Sequence, residues 1–320
     1  MNLYIVGATG LVGRKFIEVL EQEDIDIDQI FLFSSKKSEG NRIKYKDGYL
    51  EVRSDLENIE LKNGVAVLCT PSSVSRKYVP LLLKKEITII DCSTEFRKRE
   101  EIPLVAVGVN DDKILNNKLI CNPNCVVLII INILNILRNS YGLESVDVTS
   151  LQSVSGSGKR GLDDLLNHES NFYPYRIDKT CIPLIGEILE NNFSTEEDKI
   201  RSEVRKILND DTLKVNATCI RVPIEACHSV SLSVELNKDV NVNELIETIN
   251  KNPWCIHKDI PNGIEAKENN YIYFGRVKKD LDNPYIIHMY IVGDNLYRGA
   301  ASNAFWILKK ILKIKKLPKI

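Results

Sequence analysis

The chain of 320 residues lacks most of what would announce a metal, a nucleic acid or a membrane. It has only four histidines, His168, His228, His257 and His288, and they are scattered. None of its eight cysteines forms a Cys-x-x-Cys pair, so the ligand spacing of a zinc site is missing. Charge of one sign is also missing: 43 Lys and Arg stand against 44 Asp and Glu with no large single-sign block, which argues against nucleic acid as the main partner. No apolar run has membrane length. The best candidate, from Val126, carries Asn132 and Asn135 and ends at Arg138, short of the roughly 20 residues a span needs. No signal peptide, internal repeat or low-complexity linker is legible. Cys69, Cys92, Cys121, Cys125, Cys181, Cys219, Cys227 and Cys255 lie mostly in apolar or strand-like surroundings. That predicts reduced thiols in a cytoplasmic compartment and not a disulfide framework.

What is present is ordinary in composition, 43% apolar and 27% charged, and long enough for two cored domains. The opening "MNLYIVGATGLVGRKFIEVLEQ" reads as a buried strand, a glycine turn and an amphipathic helix. Gly7, Gly10 and Gly13 fit a turn that lets a pyrophosphate approach the backbone at a helix N-terminus. Strands at "QIFLFSS", "VAVLC", "ITIIDCS" and "LICNP", alternating with helices near 73–85 and from Val126, predict a doubly wound parallel α/β sheet. From "VDVTSLQSV" onward the alternation of "TCIRVPI", "SVSLSVEL", "YIYFGRV" and "YIIHMYIV" predicts a mostly antiparallel sheet with helices near 161–168, 194–208 and 242–250. The expected division is residues 1–124 plus 300–320 for a dinucleotide domain and 125–299 for an α+β domain, with the apolar side of the last helix returning to the first domain. After "IFLF" come Ser34, Ser35, Lys36 and Lys37 where an NAD-binding sheet usually carries an acid. Hydroxyls and ammonium groups suit a 2′-phosphate, so NADP is the expected cofactor.

In "CNPNCVVLII", Cys125 stands between turn formers and a buried run. At the first turn of a helix, free N–H groups and the helix dipole favour a thiolate. Asn124 or the Cys125 backbone N–H would donate to an oxyanion. "LQSVSGSGKRG" sets Gln152 at a strand end before a glycine-rich turn, Ser155 to Gly158. "CIRVPIEACHS" places Arg221 and His228 seven residues apart, able to share a cleft if the strand breaks after Pro223. A lone cysteine or histidine is more often structural, but a Cys and a His in such company supply the minimum apparatus of thiol catalysis.

Taken in order, "GATGLVG", "DCSTEFR", "NPNC", "QSVSGSG", "EVRKIL", "TCIRVP", "HS", "YFGRV" and "DNLYRGAASNA" resemble the aspartate-semialdehyde dehydrogenase family over essentially the whole chain. The resemblance implies an NADP-binding Rossmann domain, a catalytic and dimerising α+β domain, and a homodimer or homotetramer. It implies reductive dephosphorylation of L-4-aspartyl phosphate to L-aspartate 4-semialdehyde, on the route to lysine, threonine, methionine and diaminopimelate. Carried over by motif, Cys125 is the nucleophile, Asn124 steadies the oxyanion, His228 is the acid/base with a pKa near operating pH, and Gln152 orients the substrate. Arg221 grips the α-carboxylate, Glu203 meets the α-ammonium, and Lys206 and Arg97 meet phosphate. Thr9, Gly10, Leu11, Val12, Ser155, Gly156 and Asn295 match cofactor contacts.

The chain departs from the family's pattern at several points. Val126 and Val127 replace Ser-Thr after the cysteine, Pro71 and Ser72 stand at a double-glycine turn, "VGVN" fills 107–110, Val230 replaces an acid, and Trp306 a glutamine. The rival expectations are an N-acetyl-γ-glutamyl-phosphate reductase, disfavoured because Arg221, Glu203 and Lys206 suit a free amino acid, and a non-catalytic NADP-binding paralogue.

Overall fold

The computed structural model describes residues 1–23 and 25–316, and its contacts divide the chain into two compact units. The first comprises Met1–Pro123 and the segment from Ala300; the second is Asn124–Gly299. In the first, β1 (Asn2–Val6), β2 (Ile30–Phe33), β3 (Arg42–Tyr45), β4 (Gly48–Arg53), β5 (Gly64–Leu68), β6 (Thr88–Asp91) and β7 (Leu119–Cys121) form one sheet in the order β3-β4-β2-β1-β5-β6-β7. β1, β5 and β6 are buried almost throughout, as strands covered on both faces must be, and this is why their sequences run apolar without alternation. Every pairing is parallel except β3 with β4. That hairpin is absent from the sequence expectation, because Arg42, Lys44 and Glu51 give it a charged face where a buried strand would be apolar.

Helices α1 (Leu11–Glu21) and α2 (Ser72–Lys84) follow β1 and β5. β1 lies between β2 and β5, so chain connections diverge there and leave the crevice beyond its C-terminal end in which α/β sheets bind ligands.

The second unit is built on a six-stranded sheet of β8 (Ser145–Gln152), β9 (Lys214–Arg221), β10 (His228–Glu235), β11 (Cys255–His257), β12 (Ile272–Lys279) and β13 (Ile286–Gly293), ordered β11-β12-β13-β10-β8-β9. Its central pairings are antiparallel; β8 with β9 and β11 with β12 are parallel. Val146, Val148, Leu232, Val234, Ile287 and Met289 are its buried side, and the alternation of their strands follows from burial on one face only. Helices α3 (Cys125–Tyr141), α4 (Lys159–Leu166), α5 (Thr195–Leu208), α6 (Val242–Asn250) and α7 (Gly263–Ala266) complete the unit, with α3 packed on β13, α5 and α6. The unit starts one residue before the expected boundary, because Asn124 is the cap of α3.

The chain ends in α8 (Ser302–Lys316), preceded by one wide π-type turn at Tyr297–Ala301. As expected, α8 returns to the first unit: it packs against α1, and Lys309 pairs with Glu23 at 2.8 Å. The part of the expected C-terminal segment beyond Lys316 lies outside the described residues. Among the described residues no helix is long and apolar enough to cross a membrane.

Candidate active site

Each unit carries part of the expected machinery. In the first, a cavity of about 440 Å³ is lined by Gly7, Thr9, Gly10, Ser34, Ser35, Ser54, Cys69, Thr70 and Pro71, among others. Gly7 has φ +85, and a Cβ there would lie 2.2 Å from the Cys69 carbonyl oxygen. A Cβ at Gly13 would meet the Gly7 carbonyl oxygen at the same 2.2 Å, so the turn closes only with glycine at both places. Gly10 stands at the N-cap of α1 without a side-chain cap, so the N–H groups of the first turn are left for a ligand's phosphate. This cradle fits a dinucleotide. Thr9 Oγ1 and Ser34 Oγ are 2.7 Å apart on its wall, and Leu11 and Val12 open α1. Lys36 is not on the wall. It is exposed and paired at 2.6 Å with Glu39, which also accepts from Ser54 Oγ at 2.9 Å. Arg97 also belongs to this unit, buried, its Nη2 donating to the Cys92 carbonyl at 2.8 Å.

In the second unit, strand register assembles a row. Gln152 at the end of β8 is paired with Arg221 at the end of β9. Ser229 pairs with Leu151, which sets His228, the first residue of β10, beside Gln152. All three are buried and share the parity of the core-facing residues. The strand breaks at Arg221, two residues before Pro223, and the chain returns through an irregular turn to His228.

Cys125 is the first residue of α3 and is half-buried. Asn124 Oδ1 accepts the N–H groups of Val126 at 2.8 Å and Val127 at 3.4 Å, a helix cap that requires neither of the hydroxyls missing at 126 and 127. The Asn124 backbone N–H donates to Glu203 at 2.6 Å, and its amide nitrogen donates to Glu196 at 2.8 Å. Glu196 also receives Gln152 Nε2 at 3.4 Å and Lys199 at 3.0 Å. One buried carboxylate therefore ties the start of α3 to the row at the sheet end. Burial favours its neutral form, but Lys199, the Asn124 amide and Arg221 outweigh that and hold its pKa below the ordinary value.

Glu196 and Ser153 were not singled out in the sequence. The signal for Glu196 was its i,i+7 spacing from Glu203, which puts both on one face of α5; for Ser153 it was its place beside Gln152. Lys206 is on α5 one turn beyond Glu203. Arg221 Nη1 donates to the Ser153 carbonyl, and a Cβ at Gly156 would lie 3.0 Å from that Nη1 and 3.3 Å from His228 Nε2. Asn295 Oδ1 accepts from the Cys227 N–H at 3.0 Å, Ser153 Oγ at 3.1 Å and Ser155 Oγ at 3.2 Å. Ser155, Gly156 and Asn295, expected at the cofactor, thus sit in the packing around the imidazole.

The electrostatics sort the thiols. None of the eight cysteines is in a disulfide. Burial pushes Cys219, Cys227 and Cys255 up to about 12, and Cys92 is raised by its contact with Cys69 and by burial. Cys125 stands at a helix N-terminus. The imidazole departs from expectation: burial, then Arg221, drive His228 down to about 3, away from operating pH, with Glu196 and the Cys227 backbone pulling weakly the other way.

A glycine-turn dinucleotide cradle on a doubly wound sheet marks the first unit as that of a dinucleotide-linked oxidoreductase, and the second unit carries a thiol at a helix N-terminus and an imidazole beside an arginine at its sheet end. The chain matches the semialdehyde dehydrogenase NAD binding domain over residues 2–117 and the semialdehyde dehydrogenase dimerisation domain over residues 134–298. It is 31% identical to the aspartate-semialdehyde dehydrogenase of Campylobacter jejuni and 32% identical to that of Bacillus subtilis, over 98% of each chain. The structure of aspartate semialdehyde dehydrogenase II from Vibrio cholerae, complexed with ASA, superposes with a TM-score of 0.93 at 29% identity over 98% of both chains. The chain belongs to the aspartate-semialdehyde dehydrogenase family of oxidoreductases.

Proposed function

We propose that the chain catalyses the NADPH-dependent reductive dephosphorylation of L-4-aspartyl phosphate to L-aspartate 4-semialdehyde, as a cytoplasmic homodimer or homotetramer. The observation that carries this reading is the joining of Asn124, which caps the helix of Cys125, to Gln152 in the Gln152–Arg221–His228 row through Glu196. Cys125 attacks the acyl carbon as a thiolate; the C–S bond forms, the bond to phosphate breaks, and phosphate leaves carrying the proton the thiol gave up. NADPH, when bound, supplies the hydride that reduces the thioester carbonyl. The thiohemiacetal oxyanion then collapses, the C–S bond breaks, and its electron pair returns to sulfur as the aldehyde departs. Asn124 and the backbone at Cys125 steady the oxyanion of each tetrahedral species.

Arg221, with one arm anchored on the Ser153 carbonyl, presents its fork to the α-carboxylate. Glu203 takes the α-ammonium, Lys206 and Arg97 take the phosphate oxygens, and Gln152 orients the chain between. Gly7, Thr9, Gly10, Leu11 and Val12 hold the pyrophosphate end of the cofactor, and Ser34, Ser35 and Lys36 favour the 2′-phosphate of NADP. Ser155, Gly156 and Asn295 shape its other end.

The test is phosphate- or arsenate-dependent reduction of NADP by aspartate semialdehyde. Cys125→Ala is expected to abolish it, and activity near the parent's would remove the thiol from the mechanism. A higher kcat/KM with NADH than with NADPH would overturn the cofactor assignment. Faster turnover of N-acetyl-glutamate semialdehyde would move the substrate assignment to the N-acetylated class.

A further inference from the structure

Two of the cysteines stand side by side in the first unit, at the ends of neighbouring strands. β5 and β6 run parallel with Leu68 opposite Asp91, and the Cys92 N–H carries the ladder on by donating to the Leu68 carbonyl at 2.9 Å. The next register position therefore sets Cys69 opposite Cys92, with both side chains on one face of the sheet. Cys121 is paired with Asp91 and so faces the other way; Cys69 is the thiol that shares a face with Cys92. The two thiols are in hydrogen-bonding contact, and both residues are half-buried. Neighbouring strands lie about 4.8 Å apart, inside the Cα separation of about 4.4–6.8 Å that a disulfide spans.

Both backbones are held. The Cys69 N–H donates to the Val6 carbonyl at 2.8 Å, and the Cys92 carbonyl accepts from Arg97 at 2.8 Å. Cys69 is also a wall residue of the dinucleotide cradle, next to Thr70 and Pro71. Its carbonyl oxygen is the atom that a Cβ on Gly7 would approach to 2.2 Å, so the glycine turn is seated on Cys69 without slack. A disulfide holds its two Cβ atoms about 3.8 Å apart, roughly 1 Å closer than the strand spacing. Closing the pair therefore displaces Cys69, and the displacement passes through its carbonyl to the turn that cradles the ligand.

We propose that Cys69 and Cys92 are a redox-sensing pair: hydrogen peroxide closes them into a disulfide, and the closed form holds the dinucleotide more weakly. Cys69, on the cavity wall, attacks one peroxide oxygen as a thiolate. The O–O bond breaks, the sulfur is oxidised to a sulfenic acid, and the departing hydroxide takes up the proton the thiol released, leaving as water. Cys92, held as a thiol by its contact with Cys69 and by burial, then attacks that sulfur. The S–S bond forms, the S–O bond breaks, and the hydroxide leaves with the Cys92 proton as a second water. The effect on affinity rests on the proposed cofactor; the bond between the thiols does not.

The full-length parent is titrated with hydrogen peroxide, digested without reductant and mapped by mass spectrometry, while fluorescence titration reads NADPH binding on the same samples. A peptide linked through Cys69 and Cys92 is expected, lost again on treatment with dithiothreitol, and with it a Kd for NADPH about tenfold above that of the reduced protein. Recovery of either cysteine only as an acid of sulfur, or linked to a different thiol, overturns the pair. A linked peptide with an unchanged Kd overturns the control of binding.

Cys92→Ser retains Cys125, so oxidation of that thiol is common to variant and parent. The variant is expected to bind NADPH like the reduced parent and to keep that affinity at peroxide levels that link the parent's pair fully. An equal loss of affinity in Cys92→Ser would move the effect to another thiol and overturn the control of binding. The peptide map of the parent needs no variant, so it decides the pair even where Cys92→Ser fails to fold. A reduced parent that binds no NADPH overturns the cofactor assignment and the control of binding with it, while the linked peptide still decides the pair.

Discussion

Glu196 is the residue on which the second unit's site converges, and its charge can be removed without changing its shape. Glu196→Gln keeps an oxygen toward Asn124 and Gln152 but gives up the attraction to Lys199. We expect kcat to fall by about tenfold, because the cap of the thiol's helix and the substrate-orienting amide lose their common anchor. The pKa of Glu196 is lowered in the fold, so its charge contributes stability that is fully present above its ordinary value of 4.5 and is lost as pH falls through the lower folded value. The difference in Tm between parent and Glu196→Gln, measured by thermal scans at stepped pH, should therefore shrink below about pH 4.5; a gap independent of pH would mean that packing, not charge, is what the carboxylate supplies. His228 has the same slope for another reason. The unfolded ring gains a proton at its ordinary value while the folded ring resists until about 3, so acid destabilises the fold across that window. Cys125, Arg221 and His228 were legible in the sequence because reactive side chains in mixed-polarity stretches are rare. The depressed pKa of His228 was not legible, since burial by strand register is a property of three strands at once.

At the scale of single elements, glycine spacing makes a sharp contrast. Gly7→Ala and Gly13→Ala would each drive a methyl to 2.2 Å from a carbonyl oxygen, whereas a Cβ at Gly10 meets nothing nearer than 3.4 Å. The first two substitutions are expected to lower stability by more than about 2 kcal/mol and to abolish dinucleotide binding. Gly10→Ala should fold like the parent, so denaturant midpoints and NADPH fluorescence titrations on the three variants check the turn directly. Three equally destabilised variants would deny the cradle its asymmetry. Helix α3 offers a second contrast. Asn124→Ala removes the cap at a cost of about 1 kcal/mol, and Gly299→Ala adds a methyl 3.0 Å from Cys125 Cβ and 3.2 Å from its carbonyl oxygen. Gly299→Ala is expected to slow thiol alkylation and turnover more than it lowers Tm, a split that rates of iodoacetamide labelling would reveal. The parallel strands and long helices of the first unit followed from apolar runs and periodicity. The β3–β4 hairpin did not, because a partly exposed edge with Lys46 at φ 51 in its turn has neither an apolar run nor a glycine-first turn to mark it.

For the whole molecule the outstanding surface is the open side of the second unit's sheet. Its buried side packs helices, but the register aligns Tyr290, Ser231, Thr149 and Thr218 in one row of the other side, and His288, Ser233, Asp147 and Asn216 in the next. Thr149, Thr218 and Ser231 are exposed within the chain, although they lie at the centre of three adjacent strands. An antiparallel sheet with one wet face is stable, so exposure alone proves no partner. This face, however, belongs to the region that matches a dimerisation domain, residues 134–298, and short hydroxyl side chains let two sheets or a sheet and a helix approach closely. A long charged side chain at the middle of that row would be harmless in a monomer, where it extends into water, and intolerable in a self-complementary contact, where the symmetry places it twice. Ser231→Arg is therefore expected to leave the unfolding midpoint at low protein concentration within about 0.5 kcal/mol of the parent while converting the assembled species to monomer. Light scattering across a concentration series reads the second effect and denaturant titration the first. An assembly unchanged by Ser231→Arg and by Thr149→Arg would place the contact on another face.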